Sequence, residues 1–301
     1  MIDGKQVFDC FTFFNEKELL ELRFMEYYDT VDYFVIVEAT KTQSGLPHKP
    51  IFESLKPQFE KYLDKAIHIV VDDMPNWKKD DIWPAERHQR ECIKRGLEGV
   101  AKKGDAIFVS DLDEFWNVDK LHECVKLNEP VVFAHNLCHF WMNAQRPYKI
   151  TGTCYAPYGS MSPQEMRNYS RLSGVKNIKH LIKKDAGWHY SSIGGAEATL
   201  IKYNCLCEGD PYGKLDFDEV NYKINHLENL EWNIEYLVGR FRLRGPKRIK
   251  EFKKKYPEFF FKNKIIMFKS HFRGLKRYCD FKKLIKYPRK YFKTLLEEKI
   301  I

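Results

Sequence analysis

The sequence predicts an α/β fold with a mostly parallel central sheet flanked by helices. Four short apolar runs of strand length alternate with segments of helical periodicity in the first third of the 301-residue chain. Short strands separated by helices are typical of βαβ units, whose strands pair in parallel. The composition, 44% hydrophobic and 31% charged, provides enough apolar material for one sizeable core. Disordered and fibrous classes are therefore excluded.

The first strand and the first helix are predicted from residues 6–28. Gln6–Phe14 has the apolar character of a strand. The spacing Asn15-x-x-Glu18 is that of a capping box, which predicts that a helix begins there and runs to about Tyr28. The residues expected to face the core recur at helical spacing: Leu20, Phe24 and Tyr27.

Three further strands are predicted at residues 33–37, 67–71 and 106–109. Each is a nearly continuous apolar run, which is the pattern of a strand buried on both faces. Residues 85–103 are predicted to form a helix that stops at Gly104. After residue 130 the pattern indicates mixed or antiparallel strands at 131–134 and 137–142, followed by aromatic-rich irregular segments to about Trp188. From about Asp218 onward it indicates mainly helix.

Positive charge is concentrated near the C-terminus. Residues 240–301 contain 22 Lys and Arg against 5 Asp and Glu, whereas residues 1–239 are net acidic. Such a segment has the charge to contact an anionic membrane or an acidic partner, or it forms a solvated helical face, while nucleic acid is not an expected partner. The sequence shows no signal-peptide pattern and no stretch of 18 apolar residues, so a cytoplasmic or peripheral-membrane location is expected.

The eight cysteines contain no C-x-x-C pair, and zinc-finger spacing is therefore absent. Several of them lie inside apolar runs, as Cys10 does between Phe8 and Phe11. Most are expected to be reduced, buried side chains of small hydrophobic character.

The strongest local motif is the acidic sequence Ser110-Asp111-Leu112-Asp113-Glu114, which directly follows the fourth strand. Ligands of parallel sheets bind beyond the carboxyl ends of the strands. If the backbone stays extended here, Asp111 and Asp113 point the same way, and two convergent carboxylates suit Mg²⁺ or Mn²⁺ with substrate phosphates. The alternative is turn or capping chemistry ahead of a helix predicted from Val118.

Five segments, in order along the chain, resemble glycosyltransferase family 17. They are Val7–Glu16, Phe34–Thr42, Glu86–Arg90, Ser110–Glu114 and Gly187–His189. The resemblance covers roughly residues 6–210. It implies a GT-A-like fold and inverting transfer of a sugar from a UDP-sugar to a glycan acceptor, and it implies GlcNAc as the sugar. Animal members carry an N-terminal membrane anchor, which this sequence lacks.

The resemblance also implies a division of the chain. Residues 1–239 are expected to form a GT-A-like catalytic domain, with a donor half at about 1–130 and an acceptor half at about 131–239. Residues 240–301 are expected to form a basic, mainly helical extension packed on that domain.

Metal-ligand roles follow from the resemblance. Asp113 is the first expected ligand of Mn²⁺ or Mg²⁺, and Asp111 is the second ligand or a contact to the donor ribose. Glu114 is an alternative residue for orienting a ligand. His189 is the expected further ligand, with a buried, hydrogen-bonded histidine as the alternative interpretation and His271 as the next candidate.

Five residues are candidates for binding the nucleotide sugar. A guanidinium of Arg87 or Arg90 can read two phosphate oxygens, although an ion pair with the glutamate four residues earlier is the alternative for Arg90. Two of them, Asn15 and Glu16, follow the first strand, and Glu38 follows the second. The base and ribose of the nucleotide lie at these strand ends in this kind of fold. Both positions are also compatible with capping the next segment.

An inverting transfer needs a general base for the acceptor hydroxyl. Glu197, which follows the small residues 194–196, is the first candidate, and Asp185 and Asp210 are its competitors. A surface carboxylate at a helix N-terminus is the alternative interpretation of Glu197. Two other function classes remain open from the sequence: a glycan- or membrane-binding protein without turnover, and a metal-dependent phosphohydrolase.

Overall fold

The structure, a computed structural model, describes residues 1–76, 81–171, 179–205, 216–228, 237–239, 244–267 and 269–270. The strands are β1 (Val7–Thr12), β2 (Tyr33–Ala39), β3 (Ala66–Val71), β4 (Ala106–Asp111), β5 (Glu114–Trp116), β6 (Val131–His139), β7 (Ala144–Pro157), β8 (Leu181–Ser191) and β9 (Val238–Gly239). The helices are α1 (Lys17–Tyr27), α2 (Phe52–Leu55), α3 (Pro84–Glu91), α4 (Ile93–Leu97), α5 (Leu121–Leu127), α6 (Pro163–Ser170), α7 (Gly195–Cys205), α8 (Phe217–Asn225) and α9 (Ile249–Lys255).

The nine strands of the described residues form one sheet in the order β3-β2-β1-β4-β7-β6-β8-β5, with β9 paired to β7. β3, β2, β1 and β4 pair in parallel. β7 runs antiparallel to β4 and β6, β8 is parallel to β6, and β5 is antiparallel to β8. The α/β prediction is confirmed, with mixed pairing after residue 130, but the segment predicted to be irregular up to about Trp188 contains β7, α6 and most of β8. The carboxyl ends of β1, β2 and β4 therefore meet along one edge of the sheet.

Apolar side chains pack on both faces of the sheet. On one face the fully buried side chains of α1 include Leu20, Phe24 and Tyr27, as their spacing predicts, and Tyr27 stacks on Trp116 with ring centroids 4.5 Å apart. On the other face α4 approaches β2 so closely that a Cβ on Gly96 would lie 2.6 Å from the Val35 side chain. Glycine is required there because the helix and the strand leave no room for a side chain.

The predicted start of the first helix is wrong in detail. α1 begins at Lys17 with Glu16 at its N-cap, and no side chain caps the helix. Asn15 is exposed, and its backbone N–H donates to the Glu16 carboxylate at 3.2 Å. The Asn15–Glu18 capping box is thus not formed.

The predicted helix over residues 85–103 is also shorter than expected. It breaks at Cys92, between α3 and α4, and ends at Leu97. The chain then leaves helical geometry because Glu98 is extended and Gly99 has a φ of +76°. β3 differs too, since it is an edge strand with one face partly open and Val70 is 43% exposed.

The described part of the C-terminal region packs on the body of the protein. Ile249 and Phe252 of α9 are buried in the same core cluster as α1, and the Arg248 backbone N–H donates to Glu26 of α1 at 2.9 Å. Residues 271–301 lie outside the described residues, so the helical prediction for them stays a prediction. Among the described helices, none combines the length and the apolar character needed to cross a membrane.

The cysteine prediction is confirmed for the described residues. The free thiols that are buried are Cys10, Cys92, Cys124, Cys138 and Cys154, and Cys205 is partly exposed. Cys207 and Cys279 lie outside the described residues.

Candidate active site

A cavity of about 780 Å³ lies where β1, β2 and β4 end. Its wall is formed by the loops after these strands, by α3 and α6, by the end of β8 and by α7. This volume is within the range of small-molecule sites. A second cavity of about 310 Å³, next to α4 and α6, contains none of the site residues predicted from the sequence. The larger cavity is therefore the candidate site.

The backbone turns between the two aspartates of the acidic motif. β4 ends at Asp111 and β5 begins at Glu114, so strand alternation does not place the two aspartates on one face, and that premise is wrong. Both aspartates nevertheless line the cavity. The capping alternative is not observed, because Asn117 caps the turn that begins at Val118.

A fully buried arginine from α1 holds this turn. The Arg23 guanidinium pairs with the Asp9 carboxylate through two hydrogen bonds of 2.6 and 2.7 Å. It also donates to the backbone carbonyls of Asp111, Leu112 and Glu114, at 3.2, 3.0 and 2.9 Å. The conformation of the acidic turn thus depends on a charged side chain that is 88 residues away in sequence from Asp111.

Asp113 lies between a lysine and a histidine. Its Oδ2 is 2.8 Å from Lys202 Nζ, and its Oδ1 is 3.3 Å from His189 Nε2. β5 and β8 pair Glu114 with His189, which is how the histidine reaches the acidic turn. Burial raises the pKa of Asp113, but Lys202 and His189 outweigh burial and hold it well below its usual value. Asp113 is thus ionised at neutral pH.

Asp111 faces arginines. Its carboxylate pairs with Arg90 at 3.1 Å and with Arg167, and Arg171 lies 3.9 Å away. Burial raises the pKa of Asp111, but the positive charges of Arg167, Arg90 and Arg171 lower it by more. The pKa of Asp111 therefore lies below its usual value. Glu114 is fully buried and accepts two hydrogen bonds from Arg167, at 2.9 and 2.8 Å. Both acidic residues therefore hold α6 against the turn.

The two candidate arginines of α3 differ in exposure. Arg87 is exposed and lines the cavity, and it has no carboxylate partner among the described residues. The Arg90 side chain is only 3% exposed and pairs with Glu86 at 2.6 Å as well as with Asp111. Arg90 therefore forms the ion pair that was its alternative interpretation, whereas Arg87 keeps an exposed guanidinium at the cavity.

The residues after the first two strands are divided between cavity and core. Glu16 lines the cavity, with its carboxylate 4.0 Å from Lys202 Nζ, whereas Asn15 does not line it. Glu38 is fully buried, and its carboxylate accepts the backbone N–H groups of Ile51 and Phe52 at 2.7 and 3.0 Å. Glu38 therefore caps the segment that follows it and lies outside the cavity wall.

Neither Glu197 nor Asp185 lies in the cavity wall. Glu197 is exposed in the first turn of α7, the position of a helix N-terminal carboxylate. Asp185 is exposed in β8, and its carbonyl accepts a hydrogen bond from Asn117. Asp210 and His271 lie outside the described residues.

Sequence reasoning missed two groups of cavity cations. Lys202 reaches Asp113 from α7, and no local motif marks it. Arg167 and Arg171 come from α6 and its end, and α6 has a clear start signal in the sequence. Ser162 and Glu165 form a complete capping box there, which predicts the helix that carries both arginines.

The donor atoms around Asp113 fit a divalent cation. Asp113 Oδ1 and His189 Nε2 face each other, and a carboxylate with an imidazole is a donor pair that Mn²⁺ accepts. His189 Nδ1 is buried without a hydrogen-bond partner, so Nε2 is the ring nitrogen available at the cavity. Lys202 occupies the opposite oxygen of Asp113 and leaves that pair open. Asp111, in contrast, lies among three arginines, whose combined positive charge opposes a divalent cation there.

The cavity lies beyond the carboxyl ends of parallel strands, which is where open α/β sheets bind their ligands. The model of Glycosyltransferase family 17 matches residues 2–192, and the chain belongs to that family. It is 27% identical, over 117 residues, to the beta-1,4-mannosyl-glycoprotein 4-beta-N-acetylglucosaminyltransferases of Rattus norvegicus and Homo sapiens. The match covers 36% of this chain and about a fifth of each relative, 21% and 22%. The family predicted from the sequence is confirmed.

Proposed function

We propose that this protein transfers GlcNAc from a UDP-sugar to a glycan acceptor, with inversion to a β linkage. The observation that carries the proposal is the arrangement of Asp113, His189 and Lys202 at a cavity of about 780 Å³ in a family 17 chain. Similarity to two N-acetylglucosaminyltransferases supports the choice of sugar.

The cavity residues have distinct tasks in this mechanism. Asp113 and His189 would hold Mn²⁺ or Mg²⁺, which neutralises charge on the departing diphosphate when bound. Lys202 and Arg87 supply further positive charge to the phosphates, and the ion pair with Asp113 holds Lys202 in place before the donor arrives. Arg90 and Arg167 position Asp111 and Glu114, and thereby keep the acidic turn in one conformation.

Release of UDP from UDP-GlcNAc tests the proposal. We expect release to require both an added glycan acceptor and Mn²⁺ or Mg²⁺, and to fall when the metal is chelated. Binding of UDP-sugars without turnover on any acceptor would favour the non-catalytic binding protein instead. Phosphate release that needs no acceptor would favour the phosphohydrolase.

Glu197→Gln tests the candidate base. The substitution keeps the size of the side chain but removes the carboxylate. If Glu197 is the base, turnover falls by roughly 10²–10⁴-fold while UDP-GlcNAc affinity persists. If Glu197 is only an exposed carboxylate at the start of α7, turnover stays normal. Donor binding is measured by calorimetry and turnover by UDP release. Asp185→Asn and Asp210→Asn are the matched variants, and normal turnover of Glu197→Gln would transfer the role to whichever of them is inactive.

Arg87→Ala and Arg90→Ala should separate donor binding from stability. Arg87 is exposed at the cavity, so its loss should weaken UDP binding by about tenfold with little change in melting temperature. Arg90 is buried between carboxylates and Gln164, so its loss should cost about 1–3 kcal/mol of folding stability. Equal effects of both variants on UDP affinity would contradict this division of roles.

A further inference from the structure

We propose that Asp73, His88 and Cys92 form a zinc-binding site separate from the cavity. Asp73 lies in the loop after β3, His88 lies in α3, and Cys92 is the residue between α3 and α4. One ligand atom from each side chain lies within 4.8 Å of the other two. Among the residues that the structure describes, no other group of three His, Cys or acidic side chains has its ligand atoms this close together.

The distances match those around a tetrahedral ion. Bonds of about 2.1 Å to nitrogen or oxygen and about 2.3 Å to sulfur place a nitrogen about 3.4 Å from an oxygen and about 3.6 Å from a sulfur. His88 Nε2 lies 3.2 Å from Asp73 Oδ1 and 3.7 Å from Cys92 Sγ. The two distances from His88 thus agree with a tetrahedral ion, and the donor atoms of Asp73 and Cys92 lie within 4.8 Å of each other.

Hydrogen bonding can account for only one of the two contacts that His88 Nε2 makes with Asp73 and Cys92. His88 Nε2 carries either one proton or one lone pair, so it donates to Asp73 or accepts from the Cys92 thiol, but it cannot do both. A cation between the three atoms takes a bond from each of them. Mixed sulfur, nitrogen and oxygen donors select Zn²⁺, whereas Mg²⁺ and Mn²⁺ prefer oxygen-rich sites.

The surroundings supply what a zinc site needs beyond its ligands. Arg95 donates to both oxygens of Asp73, at 3.1 and 2.7 Å, and thus fixes the orientation of the carboxylate. The side chains of His88 and Asp73 are 33% and 52% exposed, so water can reach the ion and complete its coordination. Cys92 is buried, which places the sulfur at the protein side of the site.

The ion would connect the loop after β3 to the break between α3 and α4. α3 carries Arg87, which lines the cavity, and Arg90, which holds Asp111. Zinc at this site would therefore stabilise one wall of the cavity without contacting the donor. This inference depends on the local geometry and not on the proposed transfer reaction.

The experiment measures zinc and cobalt binding by the full chain after chelator treatment. We expect the metal-free wild type to bind added zinc, quantified by mass spectrometry. With added Co²⁺ it should show a thiolate-to-cobalt charge-transfer band. Cys92→Ser should abolish the band, and His88→Gln and Asp73→Asn should weaken metal binding at this site by at least about tenfold. The matched controls are Asp72→Asn and His122→Gln, two exposed side chains of the same types outside the trio.

Asp113→Asn distinguishes this site from the cavity, because it should leave the cobalt band unchanged. If Cys92→Ser fails to fold, the surface variants His88→Gln and Asp73→Asn decide the question. Absence of the band in the wild type, or an equal band in both surface variants, would overturn the proposal. Loss of the band in Asp113→Asn would do the same, while failure of UDP release alone would leave it standing.

Discussion

Asp113→Ala is expected to lower sugar transfer by roughly 10²–10³-fold, because it removes the carboxylate that faces both His189 and Lys202. Without it, the histidine loses its companion donor for a divalent cation and the lysine loses the anion that positions its ammonium group. UDP release with UDP-GlcNAc and a glycan acceptor in saturating Mn²⁺ measures the loss. Activity above a few per cent of wild type would remove Asp113 from its proposed role.

The fold should survive this substitution. Asp113 lies at the cavity wall and contacts polar groups, so its removal opens no gap in the apolar core. Thermal unfolding and circular dichroism provide the check, and Asp72→Ala, which removes an exposed carboxylate after β3, is the matched control. A large fall in melting temperature for Asp113→Ala alone would mean that the side chain is mainly structural.

The sequence predicts the fold well because the fold depends on local patterns. The apolar runs that became β1, β2 and β4 are continuous in sequence, and their alternation with helices is enough to indicate parallel pairing. The errors fall where tertiary contacts override local preference. α4 ends at Leu97 because Glu98 is extended and Gly99 has a positive φ. β3 is the edge strand of the sheet that the described residues form, with Val70 exposed on its face.

The site was predictable only in part, for a related reason. The acidic motif was found because it directly follows a predicted strand, and His189 was found through the segment Gly187–His189 that resembles the family. Lys202 and Arg167 reach the same cavity from helices distant in sequence, and the resulting ion pairs exist only in the folded protein. Glu38 shows the opposite case, since its position after a strand indicated a ligand contact but its carboxylate is used by two backbone N–H groups.

Arg23→Met is expected to destabilise the protein by about 3–5 kcal/mol, because it leaves the fully buried Asp9 carboxylate without its cation. Methionine fills much of the arginine volume, so the cost reports the lost charge and hydrogen bonds more than a cavity. Urea unfolding followed by fluorescence measures the free energy of unfolding. Lys56→Ala removes an exposed ion pair with Glu53 and should cost at most about 1 kcal/mol.

A second substitution separates the role of Arg23 in stability from its role in the active site. Adding Asp9→Leu to Arg23→Met removes both charges, so much of the lost stability should return. Transfer activity should stay low, because the backbone carbonyls of Asp111, Leu112 and Glu114 still lack the guanidinium that orders the acidic turn. Full recovery of activity in the double variant would show that the turn keeps its conformation without Arg23. A double variant no more stable than Arg23→Met would show that the unpaired charge is not the cause of the loss.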